Sequence, residues 1–148
     1  MSNERVPVKV IGVFAQDDKE DGEKDKGEKE AAVPHFVRFQ DEAGRSIHIF
    51  IGQFEAWAIS LALEGTPPER PFTHDALLNC LAVAGATVEE ACISDLRDEV
   101  FFAVITLRVG EQRHEVDIRP SDAVALALRA KCPLYISETV MQAAHRTE

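Results

Sequence analysis

The chain has 148 residues, 45% of them hydrophobic, with 16 basic and 26 acidic side chains and a net charge of −10. That length suits one domain with enough apolar material for a core, while the charge argues against a broad basic surface that grips nucleic acid by neutralising phosphates. No basic start leads into an apolar leader, and no apolar run approaches the roughly 20 residues of a membrane helix, so the reading is a soluble, cytoplasmic protein with no membrane partner.

Val6 to Phe14 is mostly apolar and short, with Val8, Val10, Ile11, Val13 and Phe14, which predicts a first strand. Residues 17–30 then read DDKEDGEKDKGEKE, 8 acidic and 4 basic side chains that carry −4 and leave −6 for the rest of the chain. With no apolar anchor to offset ordering entropy, 15–32 reads as a mobile acidic loop within a single domain spanning 1–148. Two short strands follow, His35 to Phe39 and Ser46 to Ile51, joined by the turn residues Asp41-Glu42-Ala43-Gly44.

Gln53 to Leu63 contains Phe54, Ala56, Trp57, Ile59, Ala62 and Leu63 without a turn residue before Gly65, consistent with a largely buried helix. Thr66 to Pro71 holds three prolines and forces a loop. A second helix is then expected from a Thr73 cap, with Asp75 in its first turn, Leu77, Leu78 and Leu81 facing inward and Gly85 past its end. Thr87 to Leu96, Val100 to Val109 and Arg113 to Ile118 read as a three-stranded meander. Pro120-Ser121-Asp122 opens a third helix with Ala123, Leu126, Ala127 and Ala130 on one face, and Pro133 stops it before a strand at Leu134 to Ser137 and a terminal helix at Glu138 to His145. The order βββααβββαβα predicts an α+β fold: a mixed, mainly antiparallel sheet with helices packed on it.

Cys80, Cys92 and Cys132 are odd in number and widely spaced, so they are expected to be reduced and buried. His35, His48, His114 and His145 are isolated, and Trp57 and Phe101-Phe102 read as core. Asp95 and Asp98 read as turn residues.

Two segments share a design: Arg70-Pro71-Phe72-Thr73-His74-Asp75 and Asp117-Ile118-Arg119-Pro120-Ser121-Asp122 each place Arg-Pro before a predicted helix start that carries Asp. One reading is helix capping by Thr73 and Ser121, each worth about 1 kcal/mol, with the carboxylates complementing the dipole. The other is a phosphate site. Helix N-termini, Ser121 and the forked guanidinium groups of Arg70 and Arg119 can bind a phosphodiester and stabilise its developing charge, with His74 as general acid or base. Carboxylates there repel phosphate unless a cation intervenes, so Asp75, Asp117 and Asp122 would suit Mg²⁺ or Mn²⁺. In this reading His74, Asp75, Asp122, Arg70 and Arg119 form the catalytic set.

Taken together, Glu55-Ala56-Trp57-Ala58-Ile59, RPFTHD at 70–75, Asp95-Leu96-Arg97-Asp98 and DIRPSDAVALALR at 117–129 resemble the bifunctional nuclease domain family in order and spacing. The resemblance implies an α+β fold, nuclease activity on RNA and DNA, and self-association into a homo-oligomer. The chain departs from the family's pattern in its acidic insertion, in Ile118, and in the absence of glycine at Asp98-Glu99. Two readings stand side by side: a metal-assisted nuclease built on the paired helix starts, and a noncatalytic binding or assembly domain. Convergence of His74, Asp75, Arg119 and Asp122 in an open cleft favours the first, and their burial in separate capping networks the second.

Overall fold

A computed structural model of the chain describes residues 4–16 and 33–146; residues 17–32 of the acidic stretch lie outside them. Among the described residues, three strands come first, β1 (Arg5–Ala15), β2 (His35–Asp41) and β3 (Ser46–Ile51), then two helices, α1 (Gln53–Glu64) and α2 (Thr73–Val83). The meander β4 (Ala86–Arg97), β5 (Val100–Val109) and β6 (Gln112–Ile118) follows, and α3 (Pro120–Ala130), β7 (Leu134–Ser137) and α4 (Glu138–Ala144) close the chain. The fold is the expected α+β arrangement. β1 runs to Ala15, which pairs with His35.

The strands form one sheet in the order β3-β2-β1-β7-β4-β5-β6. Short β7 sits at its centre, antiparallel to β1 and parallel to β4, while the other neighbours are antiparallel. Ala91, Cys92 and Ile93 are successive on β4 and all buried, so both faces of the sheet are covered there. β6 is the opposite case: exposed and rich in polar groups, it is an edge strand protected from further pairing by its charges.

Hairpin chemistry is local. Asp41 accepts from the Ala43 and Arg45 backbone N–H groups at 3.1 and 2.8 Å, and its other oxygen takes the Arg45 Nε at 2.8 Å. Arg45 in turn donates to both oxygens of Glu138 at 3.0 Å, fastening the β2–β3 turn to α4. Asp98 lies in the expected turn, but Asp95 falls within β4 opposite Phe102, at a break in the β4–β5 register, where it accepts from the Leu96 N–H at 2.8 Å and from Arg97 Nε at 2.7 Å. The tight β4–β5 turn puts both Asp98 and Glu99 in the left-handed region, φ 49° and 67°, where the missing glycine is the residue such a turn favours.

α3 is central. Ser121 and the run Ala123 to Ala127 are buried, more than the single face expected, because α1 and α2 flank the helix while it lies on β4 and β5. Its alanines let those neighbours approach closely. α1 was expected to be largely buried, yet only Ala56 and Ile59 are, and Trp57 is 56% exposed. The helix has a second apolar stripe, Phe54, Trp57, Ala58 and Leu61, that faces away from the core. In α2, Leu78 and Leu81 pack against the core but Leu77 does not. Cys92 is buried as expected and burial pushes its thiol up to about 11, whereas Cys80 is exposed on a helix that contributes no fully buried residue.

Candidate active site

Three helices begin near one another, and each carries a carboxylate in its first turn: Glu55 in α1, Asp75 in α2 and Asp122 in α3. An acid there complements the positive end of the helix dipole, which explains the residue type but not where each side chain points. Asp75 accepts from the Phe72 N–H at 2.9 Å and from Arg129 Nε at 2.9 Å. Arg129 also donates to the carbonyls of Ala125 and Ala58, each at 3.0 Å, so Asp75 belongs to a network that fastens α1, α2 and α3 together.

Glu55 and Asp122 turn instead to Arg119. Its Nε and one terminal nitrogen bind the two oxygens of Asp122 at 2.8 and 3.1 Å, and its other terminal nitrogen binds Glu55 at 2.9 Å. Gly52, which precedes α1, makes room for this arrangement, because a methyl group there would collide with the Glu55 carboxylate. Asp122 takes a further contact, 2.9 Å from His74 Nε2, across 48 residues of sequence. Burial raises the Asp122 pKa, but hydrogen bonds from Arg119 and His74 outweigh it and hold the carboxyl below its ordinary range. The Arg119 hydrogen bond does the same for Glu55, and the two carboxylates push the Arg119 pKa upward, so that guanidinium stays charged.

This cluster borders a cavity of about 620 Å³, whose other walls are Phe54, Trp57, Ala58, Leu61, Phe72 and Leu77. A second cavity of about 600 Å³ shares Glu55 and Arg119 and continues past Ser121 toward His48 and Phe50. The Glu55–Arg119 ion pair is therefore the partition between two open lobes.

The bifunctional nuclease domain family matches residues 37–148, which runs from within β2 through α4 and takes in every residue of this cluster. The chain belongs to that family. Two Mycobacterium tuberculosis proteins, both called uncharacterized, one of strain CDC 1551 / Oshkosh and one of strain ATCC 25618 / H37Rv, are each 40% identical to it over 97 residues. That alignment takes in 66% of this chain and 57% of each relative, so it spans little more than half the length of either.

In this bifunctional nuclease domain the structure brings together His74, Arg119 and Asp122, with Ser121 buried beside them on the wall of the second cavity. It does not gather the rest. Arg70 lies exposed in the 66–72 loop, Asp75 is engaged by Arg129, and Asp117 is exposed on β6. Among the described residues no group of three or more His, Cys, Asp or Glu side chains is placed to hold a metal ion. Arg119 already occupies the space between Glu55 and Asp122, so these donors do not fit a divalent cation as arranged.

The twin Arg-Pro segments also differ. Arg119 is the N-cap of α3 with Pro120 in its first turn, whereas Phe72 caps α2 and leaves Arg70 outside the helix. Thr73 and Ser121 are first-turn residues and not the caps they were expected to be, because the chain enters both helices one or two residues earlier in extended conformation. Sequence reading missed Glu55, Trp57 and Phe72 as site residues. The available signal was the surplus apolar stripe of α1: a helix with two such faces needs two partners.

Proposed function

We propose that the chain is a hydrolase of nucleic-acid phosphodiester bonds, with His74 as its general base, Asp122 as the carboxylate that orients and stabilises His74, and Arg119 as its anion stabiliser. The observation that carries this reading is the 2.9 Å contact between His74 Nε2 and Asp122, held from behind by the two-pronged Arg119 grip and opening on a cavity. The family match supports the reaction class. A site that cuts both RNA and DNA uses water as nucleophile, since DNA lacks the 2′-hydroxyl. With the Nε2 proton donated to Asp122, His74 offers Nδ1 to water's proton as the water oxygen bonds to phosphorus. The sugar oxygen leaves with the bonding pair and takes a proton from solvent. Asp122 stabilises the imidazolium, and Arg119 meets the charge that builds on the phosphoryl oxygens.

The test is cleavage of end-labelled RNA and DNA of one sequence by the purified chain and by His74→Gln and Asp122→Asn. Each substitution lowers kcat at least about tenfold, near 1.4 kcal/mol of transition-state stabilisation, with cooperative unfolding retained. Cleavage by the parent persists in a chelator. Loss of cleavage in chelator, restored by Mn²⁺, would return a cation to Asp122. Wild-type rates in both folded variants would remove the pair from the chemistry. A second reading, a noncatalytic binding domain, draws on the saturation of Arg119 by two carboxylates; it is the outcome if the parent cleaves neither polymer.

A further inference from the structure

Half of the larger cavity has no part in the proposed chemistry. Its apolar wall is Phe54, Trp57, Leu61, Phe72 and Leu77, with Phe54 75% exposed and Trp57 56% exposed. Large aromatic surfaces left wet in a concave site are costly unless something covers them. Trp57 and Phe72 lie 5.4 Å apart between ring centroids at 46°, so they make a corner and not a closed stack. An apolar corner beside a few convergent polar groups is the usual form of a site for a flat organic ring.

We propose that this corner receives an unpaired nucleobase, so that the substrate class of the site is single-stranded nucleic acid, with the neighbouring phosphodiester at Arg119 and His74; this rests on the nuclease reading above. Two physical points select that occupant. A base within a duplex is paired and stacked on both sides and must be extruded before it can enter such a pocket, whereas a single strand presents it directly. Second, Arg119 is the one arginine or lysine among the described residues lining the cavity, and the chain carries −10. Binding cannot come from broad phosphate neutralisation, so stacking has to supply it.

Trp57 is the chain's single tryptophan, so its emission reports on the pocket directly. The probe is a short phosphorothioate-linked thymidine oligonucleotide, alone and annealed to its complement. The single strand quenches Trp57 with an affinity at least about tenfold above that of the duplex, the ratio expected when one stacked base is gained or lost. Trp57→Ala weakens binding of the labelled single strand, read by anisotropy, by a similar factor, and Trp57→Phe restores most of it. The affinity falls only shallowly with salt, with a logarithmic slope of about −0.7, which corresponds to one phosphate contact. Equal quenching by strand and duplex, or a steep salt slope, overturns the base pocket and leaves the nuclease reading standing if cleavage is observed. Emission that follows protein concentration and ignores oligonucleotide also overturns it, because a second copy of the chain then covers the corner. Cleavage of neither polymer, by contrast, fails the nuclease reading whatever Trp57 does.

Discussion

In the proposed reaction, Glu55 and an incoming phosphodiester compete for the Arg119 guanidinium. Glu55 binds the Arg119 nitrogen that Asp122 leaves over, at 2.9 Å, and it faces both lobes of the groove. In the proposed reaction its charge repels substrate and its hydrogen bond has to yield before Arg119 can reach phosphate. The isosteric change Glu55→Gln removes the repulsion and loosens the contact, while an exposed ion pair of this kind is worth at most about 1 kcal/mol to stability. Steady-state kinetics on a single-stranded oligonucleotide then shows KM lower by roughly three- to tenfold, a gain of about 1 kcal/mol in binding, with kcat retained. A fall in kcat at unchanged KM would give Glu55 the opposite role, that of holding Arg119 in line. Glu55 was part of a recognisable stretch of sequence, yet nothing local distinguished an acid that complements a helix end from one that meets an arginine 64 residues away.

The helices owe their mutual placement to a few long side chains. Arg129 is 9% exposed at its side chain and reaches across from α3 to Asp75 of α2 and the Ala58 carbonyl of α1. α2 contributes no fully buried residue, so this link and the packing of Leu78 and Leu81 do most to hold it on the body. Asp75 keeps 26% of its side chain exposed, so removing Arg129 leaves a part-solvated charge and forfeits the Arg129 hydrogen bonds, at a cost of roughly 2 kcal/mol. Arg129→Leu therefore lowers the unfolding free energy by about that amount, read as the shift in urea midpoint multiplied by the m value, and hydrogen exchange in α2 accelerates ahead of exchange in β4 and β5. Uniform exchange throughout would mean that α2 is held by its apolar contacts alone. This division of labour among first-turn carboxylates, Asp75 for fastening and Asp122 for the cluster, was invisible in the twin Arg-Pro motifs because both obey the same helix-end electrostatics.

At the scale of the whole molecule, acid stability depends on carboxylates that bridge distant elements. Burial raises the pKa of Asp41, but its bonds from Arg45 prevail and lower it; the Arg45 hydrogen bond lowers that of Glu138, as Arg119 does for Glu55 and Asp122. A depressed folded-state pKa contributes stability that is present above the unfolded value, near 4 for these groups, and is lost as pH falls through the folded one. Melting temperature is accordingly expected to hold between about pH 7 and pH 5 and to drop below about pH 4, as the Arg45 and Arg119 bridges are protonated away. Calorimetry across that range checks it; a melting temperature that already falls between about pH 7 and pH 5 would overturn it.

Element identity was legible in the sequence because its causes are local: β-branched runs, prolines that stop helices, and the turn residues of Asp41 to Gly44. His74, Arg119 and Asp122 were legible as candidates because their residue types and helix-start positions are also local facts. Placement was not. Four-residue β7 lies between β1 and β4 at the centre of the sheet because Val6 pairs with Ile136 on one side and Ile93 with Ile136 on the other, contacts between segments far apart in the chain. In the same way α1 spends only its Ala56 and Ile59 face on the core, since α3 and the sheet can cover one side of a helix. Its Trp57 stripe is left to the cavity. Periodicity states that a face is apolar; only the arrangement of neighbours states what that face meets.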